Sequence, residues 1–371
     1  MSEKILAPHT MRHSIGDWLE KMASGLELGR FRFCSEGSYV PTKGQSGQMA
    51  TCFAMKIAWQ TGIWESWDEK MRIACVDFVK SFQTSEGWFK DPWLAANVKP
   101  DMKDYLRVLS GRCTWSSLQN RLTESLRAET RQSAATLLMV EASPKFPLPL
   151  EVTSGDDVVR YVQVLDWRNP WGAASHVSHQ LFMLAVNKKC FGVPRDYEQF
   201  IDIFLEQLSK YYDPATGTWY QGNPSDDIKI NGSMKVFSGL QWLDRPYPDT
   251  RVLLDFSLKQ PFESDGCGFL NRLFVVYQAQ KGVEEGYRAG EIKKLAQDAL
   301  KRVVEFRHAD GSFPFYKDKA QTRYYSACVS KGLPLSDLHG TTMFTWAIAL
   351  CLELLGEDAP EGAEVWKAHK A

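Results

Sequence analysis

The chain has 371 residues, of which 44% are hydrophobic and 12% aromatic, and its formal net charge is −1 at pH 7. This charge argues against a nucleic-acid-binding protein that relies on a basic face, because phosphate contacts need clustered Lys and Arg. No uninterrupted apolar run reaches the length of about 18 residues that a transmembrane helix needs, so a membrane span is not expected.

The N-terminal residues, MSEKILAPHTMRHS, contain no apolar stretch typical of a secretory signal. The eight cysteines form no CxxC pair, and Cys52, Cys75 and Cys351 lie within apolar runs. Such cysteines are typical of reduced core residues. We therefore expect a cytoplasmic protein.

Helical periodicity dominates the chain, and two kinds of segment alternate. The first kind has one charged face, as in EIKKLAQDALKRVVEFR, whereas the second is apolar nearly all round, as in TTMFTWAIALCLELL. The predicted pairs are 11–26 with 45–62, 67–84 with 116–142, 156–167 with 171–189, 194–212 with 229–243, 249–259 with 266–282, and 291–307 with 338–356. Strand-like alternation is scarce, so the sequence predicts an all-α protein.

A helix that is apolar on all sides has to be buried. Six two-faced helices outside six buried helices predict an (α/α)6 barrel, or toroid, made of outer and inner helix pairs. We expect residues 1–371 to form this toroid as a single domain, with an insertion around 89–115. An open α-solenoid repeats helix pairs in the same way and is the alternative architecture.

A turn with a polar residue, Gly and an aromatic residue occurs four times in the chain. It appears as SEGSY, SEGWF, ATGTW and ADGSF, with its glycines at Gly37, Gly87, Gly217 and Gly311. In three cases the turn follows an outer helix and precedes an inner one. We expect the glycine to take a positive φ and end the outer helix, while the aromatic residue closes the end of the helix layer.

If the inner helices all run the same way, their N-terminal ends meet at one mouth. Unpaired N–H groups and helix dipoles favour an anion there. Polar residues in these otherwise apolar helices are candidate substrate-binding residues: Arg131, Trp171, Lys235, Asn271 and Arg272. The alternative for the basic residues is a long side chain that only reaches toward solvent at the mouth.

Two pairs of residues are candidates for acid and base catalysis. His176 and His179 are three residues apart and share a helical face, where they could exchange protons or bind a metal. Asp226 and Asp227 could act as an acid pair. Structural roles are the alternative: one buried and one exposed histidine, and two aspartates that cap a helix.

Two stretches carry a resemblance to a known superfamily. FVKSFQTSEGWFKDP resembles the QW repeat of squalene and oxidosqualene cyclases through Gln83, Gly87 and Trp88. NPSDDIKINGSMKVFSGL is similar to a segment of those cyclases in which a loop with proline and acids opens an inner helix. The chain thus resembles the terpenoid cyclase and protein prenyltransferase superfamily, which implies an α/α toroid. It departs from class II cyclases because it has no DxDD acid motif.

The resemblance also implies a zinc site. Protein prenyltransferases bind zinc with an Asp and a Cys two apart at the head of one inner helix, and with a His at the head of the last. Asp265, Cys267 and His339 match these positions and would leave a fourth position open. A separate partner subunit would also be implied. The structural alternative is a helix cap, a small core residue and a helix-start residue.

Three functions remain open at this point. The first is a cyclase or transferase acting on an apolar, isoprenoid substrate whose anionic head binds at the barrel mouth. The second is a carbohydrate-active lyase, epimerase or hydrolase, which the histidines and the Trp-rich loops favour. The third is a non-catalytic helical scaffold, which gives no reason for polar residues to gather at one end of buried helices. We expect a small-molecule substrate, no nucleic acid, and a partner subunit or homo-oligomer.

Overall fold

A computed structural model describes residues 7–40, 47–98, 102–110, 115–194 and 196–371. The chain is mostly helical, which confirms the all-α prediction. The helices of the described residues are α1 (Pro8–Ala23), α2 (Gln48–Gln60), α3 (Glu69–Ser81), α4 (Pro92–Asn97), α5 (Met102–Leu109), α6 (Trp115–Met139), α7 (Gly155–Gln163), α8 (Pro170–Phe191), α9 (Tyr197–Ser209), α10 (Asp226–Leu240), α11 (Arg251–Leu258), α12 (Gly266–Ala279), α13 (Ala289–Val303) and α14 (Leu338–Leu355).

Each predicted helical segment overlaps one of these helices. The short helices α4 and α5 fall within 89–115, where the sequence predicts an insertion. Two small antiparallel hairpins complete the described structure, with strands β1 (Tyr212–Asp213), β2 (Thr218–Trp219), β3 (Arg323–Tyr324) and β4 (Ala327–Cys328).

Local sequence explains where several helices begin. Asp68 precedes α3 and its carboxylate accepts from the Met71 backbone N–H at 2.7 Å. Asp337 precedes α14 and accepts from the Gly340 N–H at 2.8 Å. Each carboxylate satisfies an N–H group that has no partner within its helix, and each offsets the helix dipole.

The second members of the six predicted helix pairs contact one another in chain order. Helix α2 packs against α6, α6 against α8, α8 against α10, α10 against α12, and α12 against α14, which in turn packs against α2. The helices with one charged face lie outside this series: α3 packs on α2 and α6, α11 on α12, and α13 on α14.

Helix α14 and the turn after it, Leu338–Asp358, are long and apolar enough by length and composition to cross a membrane. However, 89% of the apolar window is buried inside the protein. A core helix of a soluble protein passes the same test, so the finding carries no membrane assignment.

The four repeated turns do place their glycines at positive φ, with values of 64°, 88°, 72° and 88° for Gly37, Gly87, Gly217 and Gly311. The expectation that these glycines end the outer helices is wrong. Helix α3 ends at Ser81 and α9 ends at Ser209, several residues before their turns. The chain first leaves the helix and then reverses in a tight hairpin.

The turn at Gly87 shows why the position requires glycine. A Cβ atom there would lie 1.9 Å from the Pro147 carbonyl oxygen. The side chain of Gln83 holds the same two segments together, because its Nε2 donates to the Phe146 carbonyl at 2.8 Å and its Oε1 accepts from the Lys145 N–H at 2.6 Å. The turn is therefore a packing element between helix layers.

Candidate functional site

A cavity of about 580 Å³ lies among the six buried helices, and each of them contributes to its wall. Residues of α2, α6 and α10 line it near the middle of those helices. Residues of α8, α12 and α14 line it from the first turns, so the cavity faces the N-terminal ends of these three helices. The wall includes the predicted residues Arg131, Trp171, Lys235, Asp265, Cys267, Asn271 and His339.

Three basic side chains line this cavity, and we call Lys56, Arg131 and Lys235 the cavity cations. Lys56 is 6% exposed and its Nζ donates to Gln132 Oε1 at 2.9 Å. Within the described part of the chain, none of the three forms a salt bridge with an Asp or Glu side chain. The cavity cations therefore share one wall, which Asp265 and Ala371 also line, without a direct ion pair to an acidic side chain of the described residues.

The pKa values reflect this enclosure. The pKa of Lys56 is lowered to about 7, chiefly by burial and also by the charges of Arg131 and Lys235, against the opposing effect of Cys52. Burial likewise lowers the pKa of Lys235 to about 8, and the charge of Arg131 acts in the same direction. Both amines are close to losing their protons at neutral pH.

Arg131 is held in place by backbone carbonyls. Its Nη2 donates to the Ser238 carbonyl on α10 at 2.8 Å and to the backbone oxygen of Ala371 at 3.2 Å. The guanidinium also lies over the Phe182 ring, 5.3 Å from its centroid. These contacts fix the guanidinium between α6, α8 and α10, and its Nε has no hydrogen-bond partner among the described residues.

Aromatic rings form much of the remaining wall. The ring of His339 stacks between Phe53 and Phe315, with centroid distances of 4.7 and 5.0 Å. Its Nδ1 donates to Gln321 Oε1 at 2.7 Å. Burial lowers the pKa of His339 to about 3, so the imidazole is neutral. His339 thus behaves as one more aromatic ring of the wall.

The predicted zinc set receives no support. Asp265 caps α12 and accepts from the Gly268 N–H at 3.0 Å, while His339 is committed to its ring stack and to Gln321. Burial raises the pKa of Cys267 to about 12, so its sulfur is a thiol. Across the residues that the structure describes, no group of three or more His, Cys, Asp or Glu side chains could hold a metal ion.

The two predicted catalytic histidines are not among the residues of the cavity wall. His176, on α8, faces α6 and α7, where its Nε2 accepts from Arg127 at 3.1 Å and its Nδ1 lies 3.4 Å from the Tyr161 hydroxyl. His179 is 3% exposed, and its Nδ1 has no hydrogen-bond partner among the described residues. Burial holds the pKa of both rings below the usual value.

Asp226 and Asp227 occupy the exposed first turn of α10, and Asp226 pairs with Lys229 at 2.9 Å. Their placement matches the helix-end interpretation rather than an acid pair in the cavity. Asn271 does line the cavity, and its Nδ2 donates to Asn231 Oδ1 at 2.6 Å.

Arg272 points away from the cavity, although it is adjacent to Asn271. Its Nε donates to the Ser257 carbonyl at 3.0 Å, and its Nη2 donates to the Leu258 carbonyl at 2.8 Å. These carbonyls belong to the last turn of α11, where a positive charge is favourable. From α12, Arg272 thus satisfies backbone carbonyls at the C-terminal end of α11.

Several wall residues were missed by the sequence analysis. Lys56 lies in the largely apolar stretch QMATCFAMKIAWQ. A lysine in such a helix could have been predicted as a wall residue from the sequence. Tyr324 and Tyr325 come from the hairpin between α13 and α14, whose approach to the cavity has no local sequence signal.

Glu129 precedes Arg131 by two residues on α6 but is not among the residues of the cavity wall. It is 2% exposed, and neither carboxylate oxygen has a hydrogen-bond partner in the described structure. Burial, reinforced by the charge of Asp91, raises the pKa of Glu129 to about 8. The carboxyl group is therefore mostly protonated at neutral pH.

A second cavity, of about 620 Å³, lies between α9, α10 and the residues before α11. Its lining is largely apolar, including Leu208, Trp219 and Tyr247. Its basic residue, Arg245, pairs with Glu198 at 2.7 Å and with Asp202 at 3.0 Å. This cavity lacks the convergent polar groups that mark the central one as the candidate site.

Comparison with family models, with curated proteins and with solved structures finds no match to this chain.

Proposed function

We propose that the chain is an enzyme with an (α/α)6 toroid of the terpenoid cyclase and prenyltransferase type. Its central cavity binds an apolar, isoprenoid substrate with an anionic head group. The observation that carries the proposal is the set of cavity cations, Lys56, Arg131 and Lys235, which share a largely aromatic wall and form no salt bridge with an Asp or Glu side chain in the described part of the chain.

The contacts between helices support the toroid. In an open solenoid each repeat contacts only its neighbours, so the first and last buried helices remain apart. Here α14 packs against α2, and the buried helices between them contact one another in chain order. A cavity whose wall draws on all six helices is also what a toroid would enclose.

The cavity cations support an anionic substrate. A buried charge without an ion-pair partner is unfavourable, because hydrogen bonds to neutral groups only partly replace its lost hydration. A ligand with several negative oxygens would supply the missing counter-charge. The guanidinium of Arg131, fixed by the Ser238 carbonyl, could bind oxygens through its remaining N–H groups.

The rest of the wall supports an apolar body attached to that anion. Phe53, Phe315, Tyr324 and Trp346 present rings to the cavity. Aromatic faces bury apolar surface and can stabilise a developing carbocation. A prenyl diphosphate combines both properties, because it joins a flexible hydrocarbon chain to a strongly anionic head.

Calorimetric titration with farnesyl diphosphate tests the proposal. Farnesol, which lacks the anionic head, and inorganic pyrophosphate, which lacks the chain, are the matched controls. We expect farnesyl diphosphate to bind at least ten times more tightly than either control. Equal affinity for farnesyl diphosphate and pyrophosphate would refute the isoprenoid class, and equal affinity for farnesyl diphosphate and farnesol would refute the anion site.

A carbohydrate-active enzyme is the second candidate, because exposed aromatic rings stand at the cavity mouth. Trp171 is 39% exposed, Tyr316 is 37% exposed and Tyr325 is 47% exposed. Such rings could stack on sugars, and the cavity cations would then select an acidic sugar. Binding of oligogalacturonate in place of farnesyl diphosphate would favour this candidate. Binding of neither would favour the scaffold function. Cytoplasmic location and association with a further subunit stay part of the proposal.

A further inference from the structure

Tyr325 adopts a backbone conformation that is unusual for a bulky residue. It has a φ of +49° and occupies the first position of the two-residue loop between β3 and β4, where Tyr324 pairs with Ala327. Tight hairpin turns of this kind prefer Gly, Asn or Asp, because a Cβ atom is unfavourable at positive φ. A tyrosine here therefore strains the backbone.

Packing does not account for this choice. The tyrosine that anchors the hairpin is Tyr324, which is 7% exposed and contacts Phe53 edge-on at 5.4 Å. Tyr325 is 47% exposed, although its ring contacts Tyr324 at 4.9 Å. A strained backbone that carries a half-exposed aromatic ring is unfavourable on both counts. Such strain is typical of functional positions.

The exposed surface of Tyr325 faces the central cavity, whose wall includes this residue together with Arg131 and Lys235. Its hydroxyl has no hydrogen-bond partner among the described residues. A tyrosine hydroxyl keeps its proton at neutral pH, so it can donate that proton in a hydrogen bond to a ligand in the cavity that Arg131 also lines.

We propose that Tyr325 is a ligand-binding residue whose hydroxyl donates to the anionic group held by Arg131 and Lys235. The strained turn is retained because it places this hydroxyl in the cavity. The inference rests on the proposed function for the class of ligand, but its anion-binding part requires only an anion in the cavity.

Three variants separate the contributions of Tyr325. Tyr325→Phe removes the hydroxyl and keeps the ring, whereas Tyr325→Gly and Tyr325→Asn remove the ring and relieve the backbone. Tyr39→Phe is the control, because Tyr39 is also exposed, at 40%, and lies outside the cavity wall. Each protein is titrated with inorganic pyrophosphate and with farnesyl diphosphate, and its thermal midpoint is recorded.

We expect Tyr325→Phe to bind pyrophosphate about tenfold more weakly than the unaltered protein, as does Tyr325→Gly, while Tyr39→Phe binds normally. The midpoints of Tyr325→Gly and Tyr325→Asn should rise by about 2–4 °C as strain is released. Normal affinity in Tyr325→Phe would overturn the inference, since the hydroxyl would then contribute nothing. A lower thermal midpoint in both Tyr325→Gly and Tyr325→Asn would contradict the claim that Tyr325 strains the backbone.

The two ligands distinguish this inference from the proposed function. If the unaltered protein binds pyrophosphate as tightly as farnesyl diphosphate, the isoprenoid class fails while the pyrophosphate titrations still decide the role of Tyr325. If it binds neither anion, the role of Tyr325 in anion binding fails as well.

Discussion

Two groups of buried basic side chains lie close together in the chain and differ in their partners. We call Arg127, Glu151, Tyr161, His176 and Gln180 the Arg127 cluster. In it, Arg127 Nη1 pairs with Glu151 Oε1 at 2.8 Å, and Gln180 Nε2 donates to the same oxygen at 3.2 Å. The cavity cations form no salt bridge with an Asp or Glu side chain in the described structure. Arg127 and Arg131 are one helical turn apart on α6, yet only Arg127 pairs with a glutamate.

The difference indicates two kinds of buried charge. In the Arg127 cluster the protein supplies both charges, so the cluster holds α6, α8 and the residue Glu151 together. In the cavity no Asp or Glu side chain of the described residues pairs with a cation, so a ligand could supply a direct counter-charge. The predictions that follow separate a ligand site from a structural network.

Substitution of a cavity cation should have the largest effect. We expect Lys235→Met to lower pyrophosphate affinity about 100-fold, which corresponds to roughly 2.7 kcal/mol. The reason is that a buried cation contributes more to anion binding than an exposed one. Calorimetric titration measures the loss. Lys70→Met, on the exposed face of α3, is the matched control, and an equal loss in both variants would contradict a localised site.

Breaking the Arg127 cluster should affect folding instead of binding. Arg127→Met leaves Glu151 and His176 without their shared partner, and we expect the free energy of unfolding to fall by about 2 kcal/mol. Urea denaturation measures this change. Pyrophosphate affinity should stay within threefold of the unaltered protein. A large loss of affinity with little loss of stability would instead place Arg127 in the ligand site.

Substitution of Glu129 should have a smaller effect on the free energy of unfolding, and this effect should depend on pH. Its pKa in the folded chain is about 8, well above the value of roughly 4 for an unfolded chain, so the folded state is penalised as pH rises between these values. Glu129→Gln removes that penalty. We expect the variant to be more stable than the unaltered protein by about 1–2 kcal/mol at pH 8 and equally stable near pH 4.

Urea denaturation at the two pH values checks this prediction. An advantage of Glu129→Gln that is the same at both would show that the amide improves packing or hydrogen bonding, and that the carboxyl is not titrating. Glu124→Gln is unsuitable as a control, because that residue contributes to the electrostatics of Arg127. Glu69→Gln, exposed in the first turn of α3, is the suitable control.

Hydrophobic periodicity predicted the helices well, because burial on one face or on all faces is encoded every three to four residues. The same logic placed Arg131 and Lys235 in the cavity wall, since a polar residue in an apolar helix needs a reason. It did not predict where the side chains of His176 and His179 point. Their i,i+3 spacing shows that they share one face of the helix, but not whether that face lines the cavity. A difference of one residue turned Arg272 outward while Asn271 lines the cavity.

Contacts between segments that are distant in the sequence explain why the rest of the site could not be predicted. The hairpin with Tyr324 and Tyr325 belongs to the long connection between α13 and α14. This connection has no hydrophobic periodicity from which its place in the site could be predicted. The zinc hypothesis failed to gain support for a related reason. Sequence spacing put Asp265 and His339 at adjacent helix heads, but it could not show that the first caps its own helix and the second is enclosed by rings.

Proton uptake on anion binding is the smallest expected effect that distinguishes the cavity cations from the Arg127 cluster. Lys56 and Lys235 have pKa values of about 7 and about 8, so both are partly neutral at pH 8. A bound anion stabilises their charged forms and raises both pKa values, so protons are taken up at pH 8 and few at pH 6, where the amines are already charged. Titration in buffers of different ionisation enthalpy measures this uptake. We expect Lys56→Met to take up about one proton fewer than the unaltered protein at pH 8. Protons that pyrophosphate itself gains or loses are the same for both proteins, so they cancel in this difference. Identical uptake by the two proteins would mean that Lys56 does not sense the ligand, and would leave Arg131 and Lys235 as the anion site.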